Sequence, residues 1–375
     1  MQRSGILTGP FSPVQALMSD HESRLRERLA AIPDPHRGGS LGAETVRALG
    51  IDGRRVALQL ELSYPARGWW PELEDAVRMV ASAEGLEAVS IDIATRVRSH
   101  GVQQGLQPLA GVKNIICVAS GKGGVGKSTV AANLALALAA EGAATGLLDA
   151  DIYGPSQQRM LGLSGKPDSP DNKHLAPMQA HGLQVMSIGV LVGEDTPMIW
   201  RGPMVTQTLM QLLQGTLWSD LDYLIVDLPP GTGDIQLTLA QRVPVAGAII
   251  VTTPQDIALI DAMKALKMFQ KVAVPVLGII ENMATHVCSN CGHEEHIFGT
   301  GGGARLARDY GAPLLGALPL DIRIREQMDA GTPTVVAMPG SDLANRCRAI
   351  ARSAAARLAQ QALNKSIGFP KIVVE

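Results

Sequence analysis

Residues 121–128, Gly-Lys-Gly-Gly-Val-Gly-Lys-Ser, sit between the apolar run Asn114–Ala119 and an Ala- and Leu-rich stretch, Lys127–Ala140. They satisfy G-x-x-x-x-G-K-[ST] in full, a pattern that works only where a buried strand turns sharply into a helix. Gly121, Gly123, Gly124 and Gly126, with Val125, let backbone N–H groups turn inward around phosphates. Lys127 is placed to bridge β- and γ-phosphates, and the Ser128 hydroxyl to ligate Mg²⁺. The helix opening near Lys127 adds its positive dipole end. Lys122 is a second lysine in the loop. It is either an ordinary solvated side chain or one long enough to reach a second nucleotide across a dimer interface.

The chain around this loop has the matching rhythm. Short apolar runs recur at Gly146–Leu148, Leu183–Ile188, Tyr223–Val226, Ala248–Val251 and Val274–Ile280. Helical stretches fall between most of them, at Pro203–Gln214, Ile235–Arg242 and Ile257–Lys271. Such alternation predicts an α/β fold, a mainly parallel sheet flanked by helices. A closing helix is expected from a Ser341 cap to about Ala362. Before the linker the rhythm differs. A loose helical period from Val14 to Ile32 precedes an alternating strand at Val56, Leu58, Leu60 and Leu62. A helix started by Pro71, with Leu73, Ala76, Val77 and Val80 on one stripe, leads to a second alternating strand at Val89, Ile91 and Ile93. The expected organisation is a small α+β domain at 1–105, a linker at 106–112, a P-loop domain at 113–365 and a tail at 366–375. No lysine precedes Lys113, and Ser99–Val112 has no period.

Composition narrows the function classes. A formal net charge of −2 gives no global basic field for nucleic acid or an anionic membrane. No run approaches a membrane span, and the N-terminus lacks the charged start and apolar stretch of a secretory signal. Four cysteines in 375 residues are too few for a disulfide framework, so a reducing cytoplasm is the expected compartment.

Two acidic clusters end predicted strands, where ligands of open α/β sheets bind. One is Asp149-Ala150-Asp151, continuing Ile-Tyr-Gly-Pro-Ser; the other is Asp227-Leu-Pro-Pro-Gly-Thr-Gly-Asp234. Asp227 is placed for the Mg²⁺ shell and Asp151 to orient or deprotonate the attacking water. Gly231 is a candidate γ-phosphate sensor through its N–H.

Cys288-Ser289-Asn290-Cys291 follows Glu281-Asn282-Met283, with His286, His293 and His296 around it. The pair is open to three readings: a redox dithiol, zinc, or iron–sulfur ligation. Cys117, in an apolar strand, and Cys347, on the last helix, read as buried structural thiols. A four-thiolate centre therefore needs a pair from each of two subunits. A loop lysine reaching across an interface asks for the same homodimer.

The motifs GKGGVGKST, DADIYGPS, DLPPGTGD, ENMATHVCSNCG and IFGTGGG, in this order over about Lys113 to Ala344, resemble the Mrp/ApbC family of iron–sulfur cluster carrier ATPases. That family lies in the MinD-like, deviant-Walker branch of P-loop proteins. The resemblance implies ATP hydrolysis with Mg²⁺, a homodimer, and a labile 4Fe–4S cluster bridged by Cys288 and Cys291 of two subunits. It also implies transfer of the cluster to apo iron–sulfur proteins and contact with cluster-assembly scaffolds. By motif match Lys122 is the signature lysine, Lys127 the phosphate lysine, and Ser128 and Thr129 the Mg²⁺ and phosphate contacts. Asp151 matches the catalytic switch carboxylate, Asp227 the second switch, and Asn282 the adenine-contacting position. The first domain resembles a small iron–sulfur-assembly domain, with Ile32-Pro-Asp-Pro35 and Leu62-Ser-Tyr-Pro65 where that domain's motifs fall. It has no cysteine, so docking or partner binding is the role expected of it.

Two other classes compete. A zinc-bridged targeting ATPase needs a Met- and Leu-rich helical insertion, which the chain lacks. Membrane positioning needs a basic amphipathic C-terminal helix, and Pro370 interrupts the end of the chain.

Overall fold

The computed structural model describes residues 13–191, 202–288 and 290–363; the expected tail at 366–375 lies outside them. The chain forms two compact units, Met1–Arg96 and Val97–Glu375.

The first unit runs α1 (Pro13–Ala30), a two-residue hairpin of β1 (Pro33–Asp34) and β2 (Gly39–Ser40), β3 (Val46–Asp52), β4 (Arg55–Leu62), α2 (Trp70–Ala83) and β5 (Glu87–Thr95). Strict alternation buries Val56, Leu58, Leu60 and Leu62 on one face of β4. Leu73, Val77 and Ala81, four apart, give α2 a fully buried stripe against that face. The helix crosses over so that β5 pairs parallel to β4. On β5 only Ile93 of the alternating residues is buried, and Val89 is 44% exposed. Strand β3 pairs antiparallel to β4 across a turn in which Gly53 has φ +60°.

The second unit is built on an eight-stranded sheet. In chain order it contains β6 (Val112–Ala119), α3 (Lys127–Ala140), β7 (Thr145–Asp149), α4 (Gln157–Met160), β8 (Met178–Ala180) and β9 (Leu183–Ser187). Next come α5 (Gly202–Gly215), β10 (Leu221–Asp227), α6 (Asp234–Arg242), β11 (Gly247–Thr252), α7 (Asp256–Lys271) and β12 (Val276–Glu281). A hairpin of β13 (His286–Val287) and β14 (Glu294–Glu295) precedes α8 (Gly302–Tyr310), β15 (Leu314–Ala317), α9 (Ile322–Asp329), α10 (Thr334–Ala337) and α11 (Asp342–Ala359). The strand order is β15-β12-β11-β6-β10-β7-β9-β8, parallel except for the β8–β9 edge. Strands buried on both faces, such as β6 and β11, read as continuous apolar runs for this reason.

Helix α3 is buried all round, from Val130 to Leu138. It lies under α11, whose Ala351, Ala354 and Ala355 are fully buried and let the two helices approach closely. Ser341 caps α11 by accepting a hydrogen bond from the Ala344 N–H at 3.2 Å. The buried Glu141 carboxylate, at the end of α3, takes Arg348 at 2.7 Å and Arg352 at 2.6 Å from α11. The aperiodic stretch Ser99–Val112 is docked on this unit. The Gly101 N–H donates to the Ala362 carbonyl, the His100 N–H to Asn114 Oδ1, and Gln103 holds Ala240 and Val245. No helix among the described residues is long and apolar enough to cross a membrane.

Candidate functional site

A parallel sheet brings the carboxyl ends of its strands to one edge, and the site lies there. The β6–α3 turn stands beside the end of β10, which lies beside β7, so that Asp227 and Asp149 fall in register on adjacent strands. Gly124 and Gly126 have φ of +81° and +79°, open to glycine at little cost. At Gly121 the constraint is space: a Cβ would lie 2.0 Å from the carbonyl carbon of Asp261 in α7. Gly123 is under neither constraint, since its φ is not positive and a Cβ there would meet only Pro230 Cγ, at 3.9 Å. What places Gly123 in the site is its position on the cavity wall.

That cavity, about 220 Å³, is lined from the turn by Lys122, Gly123, Lys127, Ser128 and Thr129, with Asp151 and Pro230 facing them. Most of the residues named from the motif therefore share one concavity with the Asp151 carboxylate, and Lys122 stands half-buried on its wall. Gly121 and the buried Val125 are not among its lining residues; they shape the turn from behind.

Beneath that cavity the charges are closely paired. The buried Lys127 ammonium bonds Asp227 Oδ1 and lies 3.3 Å from Ser128 Oγ. The other Asp227 oxygen accepts from Gln157 Nε2 at 2.8 Å. Asp149 is fully buried and accepts the N–H groups of Asp151, Ser156 and Gln157 together with the Ser187 hydroxyl. Burial, with the Asp227 charge adding to it, holds the Asp149 carboxyl above the ordinary range. It works as the anchor of the 151–156 loop. Asp151 is also raised, chiefly by burial, with the Lys127 charge opposing. The Gly231 N–H, expected to face a phosphate, donates to the Ser120 carbonyl at 2.9 Å.

Asn282, at the end of β12, donates from Nδ2 to the Val125 carbonyl at 2.9 Å, tethering the phosphate-type loop. It packs so close that a Cβ on Gly126 would lie 2.3 Å from that nitrogen. Behind it a second cavity, about 300 Å³ and mostly apolar, is walled by Met160, Met283, Pro319, Asp321, Ile324 and Met328. It shares Gly126, Thr129 and Met160 with the first. Sequence reasoning missed this wall. Its signal was the run Leu314–Leu318 broken by Pro319 and followed by Asp321, which caps α9 through the Arg323 N–H.

Cys288 and Cys291 lie on the β13–β14 hairpin, closed by the Cys288 N–H to the His293 carbonyl and the Gly292 N–H to the Cys288 carbonyl, both 2.9 Å. Cys288 is half-buried and Cys291 exposed. The backbone N–H groups of Cys291 and Asn290, then the Cys291 side chain and the His286 ring, hold the Cys288 thiol below its ordinary value. His286 and His296 each direct Nδ1 at a carbonyl, of Leu320 at 3.0 Å and of Ala284 at 3.1 Å. Among the described residues no three His, Cys, Asp or Glu side chains gather as a metal cage. Cys117 and Cys347 are buried, and burial pushes the Cys347 thiol up to about 12.

The segment after Asn282 joins the two sites. The Leu318 N–H donates to the Glu281 carbonyl, the Ala284 N–H to Leu318 and the Leu320 N–H to Thr285. The same peptide strap thus holds the phosphate-type loop, lines the apolar cavity through Met283 and ends at Cys288.

Comparison with known proteins gives the arrangement a context. Residues 111–355 match the family described as NUBPL iron-transfer P-loop NTPase, and residues 22–93 match a family of iron–sulfur cluster assembly proteins. An iron–sulfur cluster carrier protein of Pseudomonas fragi is 58% identical over 267 residues, covering 71% of this chain and 93% of its own length. One from Escherichia coli K12 is 56% identical over 295 residues, covering 77% of this chain and 80% of its own. Among solved structures, a nucleotide-binding protein of Archaeoglobus fulgidus in complex with ADP superposes with a TM-score of 0.54 at 38% identity, over 62% of this chain and 91% of that one.

Proposed function

The chain belongs to the iron–sulfur cluster carrier family of P-loop NTPases, and on that premise we propose that it holds a 4Fe–4S cluster between two copies of itself and delivers it to apo-proteins, with ATP hydrolysis gating loading or release. Nucleotide hydrolysis belongs to the family's fold; its coupling to cluster transfer is the proposal.

In this reading the N–H groups of Gly121–Ser128 cradle the phosphates of ATP. Lys127 exchanges Asp227 for the β- and γ-phosphates; Ser128 and Asp227 would hold Mg²⁺, which would neutralise phosphate charge. Asp151 orients a water against the γ-phosphorus; the new P–O bond forms as the bond to the β-phosphate oxygen breaks, leaving ADP and phosphate. The raised Asp151 carboxyl suits a group that takes up the water's proton. The adenosine lies in the apolar cavity past Asn282, and Lys122 reaches the nucleotide of the second copy.

The cluster is cargo. Cys288 and Cys291 supply two thiolates, and a 4Fe–4S centre takes four, so a second copy completes the set. Val287 and Ile297 flank the pair and are 50% and 52% exposed, apolar surface suited to being covered by that copy. Delivery is ligand exchange, recipient thiolates replacing these four without net redox change. The first unit, with its buried Asp34–Tyr64 pair at 2.9 Å and no thiol, serves docking to recipients or assembly scaffolds. A reducing, cytoplasmic setting follows for thiols that must remain free.

The observation that carries this reading is the strap from Asn282 to Cys288, which ties the nucleotide loop to a thiol pair that reaches the surface at Cys291. The test is transfer. Reconstituted protein, mixed with an apo 4Fe–4S enzyme under a chelator, should restore its activity where equal free iron and sulfide do not. Recovery no better than that control overturns the proposal.

A further inference from the structure

The residue that binds the two halves of the nucleotide site together is Gln157, the first residue of α4, directly after the loop that carries Asp151. Its side chain is fully buried. Nε2 donates to Asp227 Oδ2 at 2.8 Å and to the Ser128 carbonyl at 3.0 Å, while its backbone N–H donates to Asp149 Oδ2 at 3.0 Å. Two acceptors facing the same atom fix which end of the amide is the nitrogen. Its Oε1, by contrast, is buried without a hydrogen-bond partner.

An unpaired buried carbonyl is a penalty that a Leu or Met of similar length would not carry. What offsets it here is the forked donor, and both prongs end on the residues assigned to the metal: the Asp227 carboxylate itself and the backbone of Ser128. Asp227 has only two side-chain partners among the described residues, Lys127 on Oδ1 and Gln157 on Oδ2. With Lys127 turned to phosphates instead, Gln157 on Oδ2 would be the remaining side-chain partner of this buried carboxylate among the described residues.

We propose that Gln157 is a positioning residue for Mg²⁺, aiming Asp227 and Ser128 and tying their placement to the Asp151 loop. This rests on the assignment of Mg²⁺–ATP to the site, and it acts through Asp227 rather than by touching substrate. Loss of the amide therefore weakens the metal's contribution and leaves the glycines of the phosphate loop, Lys127 and the apolar cavity in place.

The test is the affinity for a fluorescent ADP analogue, with Mg²⁺ and with EDTA, for the wild type, Gln157→Leu and Gln157→Ala. In the wild type Mg²⁺ tightens binding. In Gln157→Leu that tightening should shrink about tenfold, as expected for a lost hydrogen bond to a charged group, with the EDTA affinity unchanged. Gln157→Leu fills the space, so melting temperature reports its fold separately, and a merely structural role would move the two affinities together. A folded Gln157→Leu with the wild-type Mg²⁺ effect overturns the proposal, as does an equal loss in EDTA. Because binding is read without turnover, failure of the wild type to hydrolyse ATP or to transfer a cluster would count against the proposed function and not against this role of Gln157.

Discussion

Replacing Asn282 by Ala separates two roles for one side chain. The residue is 7% exposed and its amide donates to the Val125 carbonyl, so the substitution leaves that carbonyl without its side-chain donor in a buried position. Losing one partner of a buried hydrogen bond costs about 1–3 kcal/mol. The bond closes the phosphate-type loop, so most of this falls on the loop's binding geometry. A loss of about 2 kcal/mol corresponds to roughly 30-fold in affinity. The assay is competition of ATP, GTP and inorganic triphosphate against a fluorescent nucleotide. A tether predicts that all three weaken by similar factors, with ATP losing more only by what the free Oδ1 contributes to the base. Unchanged affinity for triphosphate, with the loss confined to ATP, would refute the tether and leave Asn282 a base contact alone.

Lys127→Met removes the partner of a fully buried carboxylate that already stands beside Asp149. It should lower stability by about 3–5 kcal/mol as well as abolish ATP binding. The double variant Lys127→Met/Asp227→Asn should regain much of that stability in denaturant unfolding. For Asp151, burial holds the carboxyl above the ordinary range, so a base role requires turnover to fall as pH drops through that raised value. Asp151→Asn should cut kcat by about 10²–10⁴ and remove this acid limb from the pH–rate profile. Glu141→Ala leaves two guanidinium groups of α11 without their buried carboxylate and should cost about 3 kcal/mol in unfolding free energy, with nucleotide affinity unchanged.

The sequence made some parts of this site legible because their chemistry is local. The loop 121–128 declares itself by glycines and a lysine at fixed spacing, and β6, β10, β11 and β12 by apolar runs that only a doubly covered strand needs. The thiol pair is legible for the same reason. Strand β3 was missed because its alternation is short and weak: Leu49 and Ile51 are only half-buried, between exposed Ala48, Gly50 and Asp52. Strand β15 was missed because it is short and lies at the sheet edge. Gln157 and the Val125–Asn282 tether escape any one-dimensional reading, since the partners lie 70 and 157 positions apart and meet only through sheet topology. Of the two carboxylates in Asp149-Ala-Asp151, spacing could not reveal that the first is the fully buried anchor and the second faces the cavity. Nor could spacing tell apart the glycines of the loop: Gly124 and Gly126 are fixed by backbone angle, Gly121 by a neighbouring helix, and Gly123 by neither.

The proposed function stands or falls on a cluster shared between subunits through Cys288 and Cys291. The direct measurement is anaerobic reconstitution with iron and sulfide, followed by metal, sulfide and native mass on the wild type, Cys288→Ala and Cys291→Ala. About four iron and four sulfide per dimer are expected, absent in either variant. Stoichiometric zinc that iron does not displace, or a full cluster on a monomer, would contradict it.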